Sequence, residues 1–313
     1  MQPEIDRQVL RMSRIDAVPI VYQSSLFGET SDLERVVNVA SVAQLSPFRY
    51  PGGKTWLVPR VIRWLNSRSR VTEFVEPFAG GAIVSLSVAD QQLAEHVTMV
   101  EKDTQVAAVW KAILEGDAGW LVQEILAFDV TYDNVIARLN EPGTTLRERA
   151  FQTILKNRTY HGGILAAGSA PIKFGENGRG IRSRWYPETL QKRIMKVASL
   201  ADRITFVEGD GMEVMASLSG QEDAVFFIDP PYTAAGKRAG SRLYTHSELD
   251  HDRLFQLTSR VSGDVLMTYD DAQGVRDLAA KYGLDTKTVA MKNTHHAEMK
   301  ELLIGRDLSW CEV

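Results

Sequence analysis

The chain has little cysteine, no long apolar run and little net charge. Cys311 is the single cysteine in 313 residues, so neither a disulfide framework nor a cysteine zinc site can form within it. A reducing cytoplasm fits that usage. No apolar run approaches the ~20 residues that span a bilayer, so no membrane partner is expected. The opening Met1-Gln2-Pro3-Glu4-Ile5-Asp6-Arg7 holds no signal-peptide core. The formal net charge of −4 removes any general reason to expect a nucleic-acid partner; that case has to come from local charge. His295-His296-Ala297-Glu298 matches no standard helical zinc spacing, so no metal is expected. Cys311 has no His/Asp constellation around it, which argues against a thiol nucleophile.

What is present is an ordinary globular composition with several sharp motifs. The apolar run Val225-Phe226-Phe227-Ile228 leads into Asp229-Pro230-Pro231-Tyr232. It reads as a buried strand stopped by two prolines, neither of which can donate to a sheet ladder. The stiff turn presents a carboxylate, a backbone carbonyl and an aromatic ring together at a strand's C-terminal end. Two acceptors and a stacking plate suit a flat group carrying an exocyclic amine.

Two glycine segments lie upstream. In Pro47-Phe48-Arg49-Tyr50-Pro51-Gly52-Gly53-Lys54, the glycines are expected to open a helix reaching about Leu65. Lys54 at that end opposes the macrodipole and makes more sense as a ligand contact, for instance to a carboxylate. Val71 to Val75, then Glu76-Pro77-Phe78-Ala79-Gly80-Gly81, read as strand, glycine loop and helix. The next strand, Val97 to Val100, ends at Glu101, roughly twenty residues past the glycines, where an acid would hold ribose hydroxyls. The two in register point to an adenosine-type cofactor.

A local charge reversal follows. Lys156, Arg158, Lys173, Arg179, Arg182, Arg184, Lys192 and Arg193 face only Glu176 and Glu188, on a stretch expected to be a flexible loop. Aromatics, among them Tyr160, interleave with these bases and His161, a pattern suited to phosphate and base-edge contact. Lys237, Arg238 and Arg242 form a second basic loop after Tyr232. The α/β rhythm resumes at Ile204-Thr205-Phe206-Val207, ending near Asp210. Helices are expected over Val106–Glu115, Ala118–Ala127, Leu146–Lys156, His246–Ser259 and Asp271–Lys281. Strands are expected over Asp264–Tyr269, Thr286–Ala290 and Glu301–Ile304. Near the start, Ser31-Asp32-Leu33-Glu34 is a capping-box pattern, and a helix is expected from Asp32 to Gln44, for packing or a dimer contact. The rhythm implies one doubly wound α/β domain carrying an insert.

The ordered set of Pro47–Lys54, Phe74–Gly81 and Asp229-Pro230-Pro231-Tyr232 resembles the Dam-like (D12 class, alpha group) DNA adenine-N6 methyltransferases. Asn157-Arg158-Thr159, Tyr160-His161-Gly162, Leu243-Tyr244 and Asp250-His251-Asp252-Arg253-Leu254 extend the likeness. The chain departs at Leu165-Ala166-Ala167-Gly168, where the best-known members carry an Arg and an Asn that touch DNA. The resemblance implies a Rossmann-like class I S-adenosylmethionine-dependent methyltransferase sheet over residues 46–104 and 201–313. It also implies a mostly helical DNA target-recognition domain over 105–200, after an N-terminal extension over 1–45.

By the same resemblance, Tyr50, Gly53, Lys54, Glu76, Pro77, Phe78, Ala79, Gly80, Gly81, Glu101, Asp210 and Asp229 line the cofactor site. Lys54 and Tyr50 would touch the methionine part, Glu101 the ribose and Asp210 the adenine. Asp229, Pro230 and Tyr232 would act on an adenine flipped out of double-stranded DNA. Lys156, Arg158, Tyr160, His161, Lys173, Arg179, Arg182, Arg184, Lys237, Arg238 and Arg242 would face DNA. A cytoplasmic, nucleoid-associated, bacterial or phage-encoded enzyme is implied. Monomer or homodimer, and a partner restriction endonuclease, are left open. The rival readings are an RNA or protein amide methyltransferase of the same fold, and a non-catalytic DNA-binding relative.

Overall fold

Alternation in the central strand organises the sheet. In β4 (Ala224–Ile228) every residue is buried. Val225 and Phe227 enter one core cluster, while Ala224, Phe226 and Ile228 enter another. Such two-sided burial marks a strand covered on both faces. The computed structural model describes residues 37–231, 249–292 and 298–312.

β4 lies in a seven-stranded sheet of order β3-β2-β1-β4-β5-β7-β6. β1 (Glu73–Glu76) pairs in parallel with β2 (His96–Glu101) and with β4. β3 (Ile204–Glu208) extends the sheet beyond β2, and β5 (Asp264–Asp270) follows β4, both in parallel. β7 (Glu298–Gly305) inserts antiparallel between β5 and β6 (Asp285–Lys292). The strand order reverses between β1 and β4, and in open α/β sheets that switch point is where ligands bind.

One core cluster includes residues of α1 (Val58–Asn66), α2 (Ile83–Gln91) and α3 (Thr104–Leu114). The other includes residues of α8 (Gly211–Ser217), α9 (His251–Arg260) and α10 (Gln273–Lys281). Between β2 and β3, α3 is followed by α4 (Ala118–Ala127), α5 (Tyr132–Asn140), α6 (Leu146–Thr159) and α7 (Pro187–Ala198).

Some expectations need correction. Over residues 37–44 the expected helix is reduced to a single 3-10 turn, Val39–Ser41, started by the Asn38 side chain and ended by extended Val42. Clustered β-branched valines disfavour helix there. Gly52-Gly53 does not open a helix either: a 3-10 turn covers Thr55–Leu57, and α1 begins at Val58 with Pro59 in its first turn. The basic stretch is less loop-like than its composition suggests. Lys156 and Arg158 lie in α6, and Lys192 and Arg193 lie in α7. α5 and α7 escaped sequence reading because α5 buries Val135 alone and α7 starts from a proline inside an arginine-rich run.

Phe227 is fully buried in the middle of the sheet. Phe227→Ala should cost about 3–5 kcal/mol by urea unfolding. A loss below roughly 1 kcal/mol would mean that the strand is not packed on both faces.

Candidate active site

The glycine loop after β1 is held from three sides. Buried Glu76 turns its carboxyl toward the first turn of α2, accepting from the Ser85 N–H at 3.0 Å and from the Ser85 hydroxyl. Burial pushes that carboxyl up to about 8, against the Ser85 hydrogen bonds and helped by nearby Asp229 and Glu101. Trp110 of α3 donates its indole N–H to the Gly80 carbonyl at 2.9 Å. Gly80 has φ +47°, and a Cβ there would lie 2.5 Å from the Tyr50 ring. Glycine at this point therefore makes room for Tyr50. Pro77 and Ala79 are buried, and Phe78 is half-buried.

Glu101 ends β2, with one carboxyl oxygen accepting from the Gly80 N–H at 2.9 Å and the other from the Asp103 N–H at 2.7 Å. Burial pushes it up to about 7 against those bonds. Asp210, after β3, caps α8 through the Met212 N–H at 2.9 Å and accepts from Lys102 Nζ at 3.0 Å. Burial opposes its charge, but the Lys102 and Met212 bonds outweigh that and hold the carboxyl below its usual range.

At the end of β4, Asp229 Oδ1 accepts from the Thr268 hydroxyl of β5 at 2.7 Å. The same oxygen lies 3.0 Å from Lys54 Nζ, which is also 3.4 Å from Glu301 Oε2 of β7. Lys54 is only 3% exposed. Lys54, expected to contact a ligand, is paired here with two of the protein's own carboxylates. Gly53 is exposed beside it, and Pro230 is buried behind Asp229. Burial pushes Glu301 up to about 7, with Lys54 opposing and Asp229 adding. Neither Glu301 nor Thr268 stood out in the sequence. The signal was there: a carboxylate in Met299-Lys300-Glu301-Leu302-Leu303-Ile304 and a hydroxyl in Leu266-Met267-Thr268-Tyr269 both interrupt apolar strands.

The insert reaches this site through α6 and α7. Fully buried Asn157 clasps the Arg49 backbone: its Oδ1 accepts from the Arg49 N–H at 2.9 Å, and its Nδ2 donates to the Arg49 carbonyl at 3.0 Å. Nδ2 also donates to the Gly163 carbonyl at 2.7 Å. Gly163 has φ +75°, and a Cβ there would stand 2.4 Å from the Arg49 carbonyl. Arg193 of α7 donates to the Ser46 carbonyl at 3.0 Å.

Arg158, expected at DNA, is instead 6% exposed and donates to the Pro47 carbonyl. Burial, with Arg193, Arg49 and Arg184 nearby, brings its guanidinium down to about 9. Lys156 is half-buried and donates to the Leu165 carbonyl at 2.7 Å, with its ammonium 5.8 Å from the centre of the Tyr160 ring. Arg184 and Tyr160 are half-buried, while His161, Lys173, Arg179 and Arg182 are exposed. Arg182 is tied to Asp129 at 2.8 Å and to the Val130 carbonyl. Phe174, next to Lys173, is 84% exposed. Tyr232, Lys237, Arg238, Arg242 and His295-His296-Ala297 lie outside the described residues.

The strand order, the glycine loop after β1 and the Asp-Pro-Pro turn after β4 agree with one family model, the D12 class N6 adenine-specific DNA methyltransferases, which matches residues 50–293. The chain belongs to this family. It is therefore an S-adenosylmethionine-dependent adenine methyltransferase with a Rossmann-like class I sheet. No curated protein sequence matches the chain significantly. Among solved structures, a Pyrococcus horikoshii protein described as an RNA methyltransferase shares 9% identity, over 85% of this chain and 94% of that one, at a TM-score of 0.40. A methyltransferase from Geobacter sulfurreducens shares 13%, over 82% and 80%, at 0.36. A precorrin-6y C5,15-methyltransferase from Geobacter metallireducens shares 10%, over 86% and 97%, at 0.35. Likeness at this level says nothing about substrate, and the fold assignment rests on strand order and the family match. No helix among the described residues is long and apolar enough to cross a membrane.

Asn157→Ala should leave the Arg49 backbone unpaired, cost roughly 1–3 kcal/mol and weaken S-adenosylmethionine binding by titration calorimetry. Unchanged affinity would show that the Arg49 clasp has no part in cofactor binding. Glu76, Glu101 and Glu301 are all raised in the folded protein. The folded state therefore binds more protons than the unfolded chain between about pH 4.5 and 8. Their contribution to stability is complete below that window and lost as pH rises through it. Urea midpoints of cofactor-free protein should fall from pH 6 to pH 8.5, and a rise would contradict the burial of these carboxyls.

Proposed function

We propose that this chain methylates N6 of a specific adenine in double-stranded DNA, with the base flipped out of the helix. The observation that carries the reading is Asp229, set at the strand-order switch and fixed by Thr268 and Lys54 before two prolines. The N6 lone pair of adenine is delocalised into the ring and is a poor nucleophile. The Asp229 carboxylate and the Pro230 carbonyl would accept the two N6 hydrogens and localise that lone pair. Positioning and electrostatics then carry the transfer. N6 lies inside the duplex, so the base must leave the stack at a cost of a few kcal/mol, and Tyr232 would stack on it.

The residues present fit S-adenosylmethionine. That cofactor carries an ammonium and a sulfonium, and this sheet edge is rich in carboxyls, with Glu76 and Glu301 buried. When bound, it supplies an electrophilic methyl group. Glu101 would hold its ribose, Asp210 its adenine, and Tyr50, Gly53 and Lys54 its methionine part, over the Pro77–Gly81 loop. The Lys54 ammonium lies 3.0 Å from Asp229 Oδ1, where the reading puts the adenine amine. Exposed His161, Lys173, Arg179 and Arg182 support a DNA face on the insert, and Arg184 and Tyr160 would complete it. Lys237, Arg238 and Arg242 would approach from the other side. Arg158 serves this face indirectly, by fastening the Pro47 carbonyl.

Labelled S-adenosylmethionine should transfer to duplex DNA and yield N6-methyladenine, with RNA and DNA-free protein as parallel acceptors. Transfer to RNA or protein alone, or to nothing, would sink the reading. Asp229→Ala should lower kcat by at least roughly 10²–10³-fold while cofactor binding persists. Retention of most activity would remove Asp229 from its acceptor role.

A further inference from the structure

Lys54 serves two carboxylates at once. Its Nζ lies 3.0 Å from Asp229 and 3.4 Å from Glu301. The two acids come from different strands, β4 and β7, and both are drawn onto one buried ammonium by the antiparallel insertion of β7 beside β5. A lysine paired with Asp229 alone would neutralise the acceptor and block it, since its N–H groups take the place of a substrate amine. A second carboxylate changes that. It offers the ammonium another seat and leaves the group of three with a net negative charge.

We propose that Glu301 is a positioning residue for methyl transfer, holding the Lys54 ammonium so that the incoming amine can take the Asp229 carboxylate. This rests on the adenine-N6 reading above. Three observations support it. Glu301 is 8% exposed, and no apolar strand buries a carboxylate without cost. Its Oε2 lies 3.4 Å from Lys54 Nζ, against 3.0 Å from Asp229 Oδ1 to the same nitrogen, so there is room for a closer bond when Lys54 leaves Asp229. Thr268 holds Asp229 independently at 2.7 Å, so the acceptor keeps its place when Lys54 moves.

Among the described residues, the charged groups facing Glu301 are Lys54 from the loop before α1, Asp229 just after β4 and Asp270 from β5. Across the sheet in β6 its register partner is Val289. Protonation of Glu301, raised to about 7, returns Lys54 to Asp229 and closes the acceptor.

The test compares wild type, Glu301→Gln and Glu301→Asp with duplex DNA. Glu301→Gln should lower kcat roughly 10- to 100-fold with the KM for S-adenosylmethionine nearly unchanged, and Glu301→Asp should recover part of the loss. Wild-type log kcat should fall below about pH 7, and the Gln variant should lose that limb. Wild-type kcat and pH profile in Glu301→Gln would overturn the proposal, as would a loss of cofactor binding equal to the loss of rate. A second readout needs no substrate. The ¹⁵N resonance of the Lys54 ammonium should step near pH 7 in wild type and not in Glu301→Gln; a wild-type signal without that step overturns the proposal. If wild type transfers nothing to DNA, the function reading fails, and the resonance still decides the Glu301–Lys54 link.

Discussion

Crowding of carboxyl groups at one sheet edge is the constraint on which the structure turns. Glu76, Glu101, Asp229 and Glu301 stand at or near the C-terminal ends of β1, β2 and β4 and within β7. Burial lifts three of them well above the usual carboxylate range. Like charges in a poorly solvated place are unfavourable unless each finds a donor. Ser85 serves Glu76, the Gly80 and Asp103 amides serve Glu101, Thr268 serves Asp229, and Lys54 is shared by Asp229 and Glu301.

The insert is coupled to the same edge. Asn157 and Arg158 in α6, with Arg193 in α7, hold the carbonyls and amide of Ser46, Pro47 and Arg49. Phe48 of that segment packs edge-on to Trp110, which in turn holds Gly80. The glycine loop after β1 and the basic insert are therefore joined through hydrogen bonds to the Ser46–Arg49 backbone and one edge-on ring contact.

Much of the fold was legible in the sequence, because alternation and strand-ending punctuation are local. The run Val225–Ile228 before two prolines, the glycines after Glu76 and the spacing to Glu101 each lie within one short window. Helices with a clear apolar face, such as Ala118–Ala127, were read to the residue. α5 and α7 were not, since they bury little or begin in an arginine-rich run. Arg158 was misread for a related reason. Composition counts charge but does not say which arginine is enclosed, and only the packing of α6 against the Pro47 segment buries that one.

The sequence by itself determined the strand that ends in Asp229, the glycine loop and the motif order that marks the family, because backbone geometry and periodicity are properties of neighbouring residues. Tertiary structure alone decided which donors and acids meet. Thr268 and Glu301 reach Asp229 and Lys54 from strands far along the chain, across a ladder whose register no local pattern announces. Whether a buried charge acts as a ligand contact, a clasp or a seat for another charge depends on those encounters. In a low-dielectric interior, the nearest partner sets the energy of each group.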